Sequence, residues 1–219
     1  MQISIDGPAS AGKSTIAKLI AKKLDFVYCD TGAMYRTVTL LAKKFNVDYG
    51  DGSSILKLMS QHKIYFINKT DGQHVMLDDE DVSDAIRTEE VTNNVSQVSA
   101  IKEVRTELVE MQRKMAGDID IVMDGRDIGT TVLPDADVKI FLIASVKVRA
   151  ERRYKENIER GINTSLDVLK DEIAARDYKD SHRKISPLKK ADDAIEVDSS
   201  NMNIEQVVNQ ITKIINEKK

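Results

Sequence analysis

One cysteine, Cys29, in 219 residues leaves no partner for an internal disulfide, which suits a reducing compartment. No run of the chain approaches the roughly 18 consecutive apolar residues that a bilayer crossing needs. Neither sign of charge dominates: 33 Lys and Arg stand against 36 Asp and Glu, a formal net charge of -3. Such a balance gives no general attraction to nucleic acid or membrane. Repeats, low-complexity tracts and flexible linkers are missing too. The first strand-like stretch begins at residue 2, leaving no room for a signal peptide. The expectation is a soluble, cytoplasmic protein without nucleic-acid or membrane partners, and nothing calls for more than a monomer. A hydrophobic content of 41% and a charged content of 32% are ordinary for a helix-rich chain. The length suits one α/β domain with room for a small insertion.

Gly7-Pro8-Ala9-Ser10-Ala11-Gly12-Lys13-Ser14 is a full Gly-x-x-x-x-Gly-Lys-Ser match, followed by Thr15. Ile3 and Ile5 alternate before it as a strand requires, and Ile16, Leu19, Ile20, Ala21 and Leu24 recur after it at helical spacing. That context separates a phosphate-binding loop from a chance match. The glycines let backbone N–H groups close around an anion, and the following helix adds the positive end of its dipole. Lys13 reaches the β- and γ-phosphates of a nucleotide, and the Ser14 hydroxyl ligates Mg2+. The plainer alternative is a Gly-rich turn with a surface lysine. The expectation is a nucleoside triphosphate, ATP, with Mg2+.

Further along, 26–29 reads as a strand running into Asp30-Thr31-Gly32-Ala33-Met34-Tyr35-Arg36 and then a helix. Lys63–Ile67 and His74–Leu77 answer one another across Thr70-Asp71-Gly72-Gln73, a hairpin signal. A hairpin interrupting an alternating strand–helix chain predicts an inserted subdomain over about 62–98. The spacing predicts a helix over 101–116 with Val104, Leu108, Met111 and Met115 on one face, ended by Gly117. Asp120–Asp124 and Val138–Ala144 read as buried parallel strands. Between them Gly125-Arg126-Asp127-Ile128-Gly129-Thr130 lies at a strand's carboxyl end, where α/β sheets place ligands. Charged helices follow at about 146–160 and 165–182, then a strand at 194–197. A last helix is capped by Asn203, with Ile204, Val207, Val208, Ile211, Ile214 and Ile215 as its stripe. The fold class is α/β: a single phosphate-loop domain over 1–219, its central parallel sheet flanked by helices, with an inserted β-hairpin region.

Asn68-Lys69-Thr70-Asp71 matches the Asn-Lys-x-Asp guanine signature, but no Asp-x-x-Gly accompanies it, and a hairpin turn explains the same residues. A kinase of a small anionic acceptor makes better sense of Arg36, Arg126, Arg176 and Arg183, which lie near strand ends or loops. The guanidinium fork suits phosphate. Each taken singly is equally well a solvated charge. A switch or binding module without catalysis, and a kinase of UMP or of a non-nucleotide acid, stay open at this point.

Gly7–Ser14, Asp30–Arg36, Asp124–Thr130 and Ala175-Arg176-Asp177-Tyr178-Lys179-Asp180 together resemble the bacterial cytidylate kinases, members of the P-loop nucleoside monophosphate kinase family. Ile185–Leu188 and Ala191–Ala194 fit in the same order, and Thr31 stands where the family often has serine. The resemblance implies transfer of the ATP γ-phosphoryl group to CMP or dCMP, with Mg2+. It implies Arg36, Arg126 and Arg183 on the CMP phosphate, with Thr31 also at the acceptor. Ser96, Arg105 and Asp127 would meet the cytosine edge, and Arg176 and Asp180 the sugar hydroxyls. Residues Gly7 to Thr15 would hold ATP. Lys13, Arg126, Arg152 and Arg153 would act in catalysis, the last two from a lid over about 149–163 that also carries Arg160. The metal would rest on Ser14 and, through water, on Asp124. An ion pair with Arg126 is the alternative role for Asp127, helix capping for Ser96, and loop ordering for Asp124.

Overall fold

The computed structural model describes residues 1–70, 72–159 and 161–218. Two compact units emerge: Met1–Cys29 with Met115–Lys219, and Asp30–Lys114. In the first unit a parallel five-stranded sheet runs in the order β2-β6-β1-β7-β8. Its strands are β1 (Gln2–Asp6), β2 (Val27–Asp30), β6 (Ile121–Gly125), β7 (Val138–Ile143) and β8 (Ile195–Asp198). Central β1 is flanked by β6, with Gln2 opposite Ile121, and by β7, with Ile3 opposite Val138. Strands covered on both faces read as continuous apolar runs, and Ile3, Ile5, Val122, Ile140 and Leu142 are fully buried. Cys29 is buried at the end of β2.

Helices α1 (Lys13–Leu24) and α8 (Ile204–Asn216) pack on that sheet through Ile16, Ile20, Val207, Ile211 and Ile215. Asn203 caps α8 in a reciprocal capping box with Gln206, as the spacing predicts. Two stripe positions differ from expectation. Leu19 and Ile204 are exposed, at 39% and 55%, because each stripe is wider than the face its helix turns to the sheet. This unit also holds α6 (Val146–Glu159) and α7 (Leu166–His182).

The second unit holds α2 (Thr31–Lys44), α3 (Gly52–Gln61), strands β3 (Ile64–Lys69), β4 (Gly72–Leu77) and β5 (Glu80–Asp81), then α4 (Glu89–Ser99) and most of α5 (Lys102–Ala116). The expected hairpin is there, with Ile64 opposite Leu77 and Lys69 opposite Gly72. Asn68 and Lys69 therefore belong to a strand, and Lys69 Nζ donates to Asp81; Asp71 lies outside the described residues. Helix α2 starts directly at Thr31 because Asp30 accepts the N–H of Ala33 as its N-cap. On α5 the buried face is Val104, Arg105, Leu108, Val109 and Gln112. Met111 and Met115 sit at its margin, since two polar side chains occupy positions that an apolar pattern skips.

Candidate active site

The phosphate loop links β1 to α1. A Cβ on Gly7 would lie 2.0 Å from the Leu142 carbonyl oxygen, so passing β7 excludes any side chain at this position. Gly12 begins α1 at φ 93°, and Ser10 holds φ 59° without being glycine, a local strain of the kind found where loops grip ligands. Lys13 is buried, its Nζ donating to the Pro8 carbonyl at 2.7 Å. Burial first, then the neighbouring Arg126 and Arg176, hold its pKa well below the usual lysine value, with Asp124 and Asp6 opposing. A polyphosphate brought to this loop reverses that imbalance.

Beside the loop, Ser14 Oγ donates to Asp124 Oδ2 at 2.7 Å, and the Tyr28 hydroxyl donates to Oδ1 at 2.7 Å. Among the described residues no group of three or more His, Cys, Asp or Glu gathers as a metal site. Two hard oxygens fit Mg2+, which takes few protein ligands and keeps its waters.

A second cluster forms where β6 ends and α7 passes. Arg126 Nε donates to Asp180 Oδ2 at 3.1 Å, and Arg183 Nη2 donates to Asp127 Oδ1 at 3.3 Å. The structure thus pairs Asp127 with Arg183, while Arg126 goes to Asp180. Arg176 lies 3.9 Å from the same Asp180 oxygen. Burial and Arg126 push the Arg176 pKa down to about 10. Burial works against ionising Asp180, but Arg126, Arg176 and Arg183 outweigh it and hold its pKa below the usual value. Three guanidinium groups around two carboxylates leave a surplus of positive charge.

Beneath this cluster lies Asp6, which pattern reading passed over. Its carboxylate accepts the N–H groups of Ile128 and Gly129, both at 2.8 Å, and so fixes the backbone just after Asp127. Burial raises its pKa from 3.8 to about 6 against those hydrogen bonds. A signal existed: like Asp124, it is a carboxylate closing a buried parallel strand.

A cavity of about 830 Å³ opens from the phosphate loop, lined by Gly12, Thr15, Arg152, Arg153, Met202 and Ile204 among others. Arg152 is fixed in its wall, donating to the Ala11 carbonyl at 3.1 Å and the Ser199 carbonyl at 2.8 Å. Arg153 pairs with Glu156 at 3.5 Å. Arg160 lies outside the described residues.

In the second unit, Thr31 opens α2 and is buried. Arg36 Nη1 donates to the Thr92 hydroxyl at 2.8 Å and the Ile86 carbonyl at 3.2 Å. Arg105, only 2% exposed, donates to the Ser99 carbonyl at 3.1 Å and lies over the Tyr35 ring. Ser96 stands one turn before the end of α4, its carbonyl accepting from Ser99 Oγ.

A model of the cytidylate kinase family matches residues 3–217. The chain belongs to that family. It is 59% identical over 218 residues to the cytidylate kinase of Lactobacillus johnsonii, covering 100% of this chain and 95% of that one. The cytidylate kinase of Streptococcus uberis is 61% identical over 209 residues, 95% of this chain and 92% of the relative. A crystal structure of an uncharacterized protein from Eubacterium ventriosum aligns over 99% of this chain and 98% of its own, with a TM-score of 0.54. At 11% identity that likeness is one of fold alone. The four cytidylate kinase motifs thus fall on the phosphate loop, the start of α2, the end of β6 and the second half of α7.

Proposed function

We propose that the chain transfers the γ-phosphoryl group of ATP to CMP or dCMP, giving ADP and CDP or dCDP. The observation that carries this reading is the cluster of Arg126, Arg176 and Arg183 around Asp127 and Asp180, with Arg126 and Arg176 near enough to Lys13 to depress its pKa. A bare phosphate loop serves many reactions, but guanidinium groups set beside one with a buried carboxylate among them suit a second, anionic substrate bearing a hydrogen-bond donor.

Residues Gly7 to Thr15 take the donor phosphates, and the adjoining cavity takes its nucleoside. Bound through Ser14 and, by way of water, Asp124, Mg2+ would supply charge neutralisation at the donor phosphates. The acceptor oxygen needs no general base, because a phosphate monoester has its second pKa at about 6. Catalysis then rests on alignment and electrostatics from Lys13, Arg126, Arg152 and Arg153. Arg36, Arg126 and Arg183 serve the acceptor phosphate, with Thr31 beside them. Arg176 and the ionised Asp180 serve the sugar hydroxyls.

Ser96, Arg105 and Asp127 read the base. A carboxylate accepts from the 4-amino group of cytosine; uracil brings an oxygen there, and leaving two buried acceptors opposed costs about 1–3 kcal/mol. The acceptor-binding insert is assigned to about 62–98 and the lid to about 149–163. Lid closure excludes water from the transfer. The working form is taken as a cytoplasmic monomer without nucleic-acid or membrane partners, and no helix among the described residues is long and apolar enough to cross a membrane.

The test is ADP formation from Mg-ATP with CMP, dCMP, UMP, AMP and GMP in parallel. Strong turnover with CMP and dCMP and a clear deficit with UMP is the expected result. Absence of turnover with every monophosphate would overturn the reading.

A further inference from the structure

Asp177 follows Arg176 on α7, and its carboxylate is turned toward the phosphate loop. Its Oδ1 accepts the N–H of Ala9 at 3.2 Å. Its Oδ2 lies 2.6 Å from Nη1 of Arg149, and the same nitrogen donates to the Ala9 carbonyl at 3.0 Å. Both backbone groups of one loop residue are thus gripped by a single ion pair, in a closed ring. The guanidinium is itself anchored, its Nε donating to the Ala144 carbonyl at 2.8 Å. Arg149 is buried, while the Asp177 side chain keeps 21% of its surface exposed.

Taken alone, the carboxylate is in the wrong place. An anion-binding loop works by presenting N–H groups and positive potential to phosphate, and here a negative group occupies one of its amides. The neighbouring guanidinium cancels that charge. Arg149 also lies within the expected lid segment, yet its donors are engaged with Ala9, Ala144 and Asp177. It is a fixed post at the root of α6, and any lid movement begins beyond it.

We infer that Arg149 and Asp177 are a positioning pair for the phosphoryl donor. Asp177 sets the loop backbone at Ala9 and ties it to the helix that carries Arg176. Arg149 completes the grip and keeps the Asp177 charge from opposing the triphosphate. The inference rests on the reading of this loop as the ATP site. Its distinctive content is electrostatic: losing Arg149 alone leaves a bare carboxylate against the donor, which is worse than losing both partners.

The experiment compares R149M, D177N and the double variant, measuring the ATP dissociation constant by calorimetry, KM for CMP, kcat and Tm. R149M is expected to weaken ATP binding about tenfold, D177N about threefold, and the double variant less than R149M, since a buried charge left without its partner is the costly state. KM for CMP is expected to stay within about twofold throughout, because no acceptor group is removed. A double variant that binds ATP no better than R149M overturns the inference, as does R149M raising the constants for both substrates alike. R149K keeps the charge and guards against a misfolded R149M; it must bind ATP within about threefold of the wild type, and a larger loss also overturns the proposal. Failure of the wild-type chain to bind ATP would remove the donor reading and this inference with it, whereas normal wild-type binding with an unaffected R149M removes the inference alone.

Discussion

Two buried arginines, one in each unit, are held by different means. Arg149 in the first unit sits in a ring of backbone groups closed by a carboxylate. Arg105 in the second donates to a helix-end carbonyl and lies over the ring of Tyr35. The contrast extends to the surroundings. Around the phosphate loop, function is built from backbone: Gly7 yields to a passing strand, Lys13 rests on a carbonyl, and Asp6 and Asp177 fix amides. The second unit builds with side chains spread over α2, α4 and α5. Backbone geometry demands particular residues at consecutive positions; side-chain geometry accepts many sequences that bring the same groups together.

Three experiments press on that contrast, beginning with the largest effect. Lys13→Met removes the one cation built into the loop and is expected to lower kcat on the order of a thousandfold, while CMP binding, followed by calorimetry, changes little. A comparable loss of CMP binding would mean that donor and acceptor functions do not divide in this way. Arg105→Met comes next. It keeps the volume of a buried side chain, so Tm should move by only a few degrees. KM for CMP is expected to rise about tenfold or more while ATP affinity holds. If the two substrates suffer equally, Arg105 is a strut of its unit and the base-reading role is lost.

The smallest effect is read from pH. The Asp6 pKa stands at about 6 in the folded chain against an ordinary 3.8. Between those values the folded state holds the extra proton, so the stability this group contributes is present below about pH 4 and lost as pH rises to about 6. Asp81 in the second unit behaves oppositely: hydrogen bonds from Lys69 and Ser83 push its pKa down, and its contribution is lost as pH falls. Urea unfolding of wild type and Asp6→Asn across pH 4 to 7 should show the wild type losing on the order of 2 kcal/mol relative to the variant as pH rises. A difference that does not vary with pH would place Asp6 among ordinary carboxylates.

The same contrast decides what could be read from the sequence. The phosphate loop, the Asp124–Thr130 turn and the capped last helix are local, and each announced itself through spacing. So did the hairpin and the order of strands and helices. Arg105 and Ser96 came only through the family resemblance, because nothing nearby marks a buried arginine on a helix whose apolar pattern is loose. Arg149 and Asp177 were visible as charges, but they meet Ala9 across 140 and 168 residues of chain. Asp6 carried the same pattern as Asp124 and was missed because its ligands are two amides, which leave no imprint on residue type. Leu19 and Ile204 erred the other way: a helical stripe shows what can be buried, and the sheet's width sets how much of it is.

The single thiol of Cys29, buried in the edge strand β2, gives the molecule a built-in clock. An aromatic disulfide reagent reaches a buried thiol only through an opening of the fold around it. The labelling rate therefore counts those openings in the untouched protein, without a tag or a mutation. Run with ATP, with CMP and with both, the same reaction would time how each nucleotide quiets the strand that leads into α2.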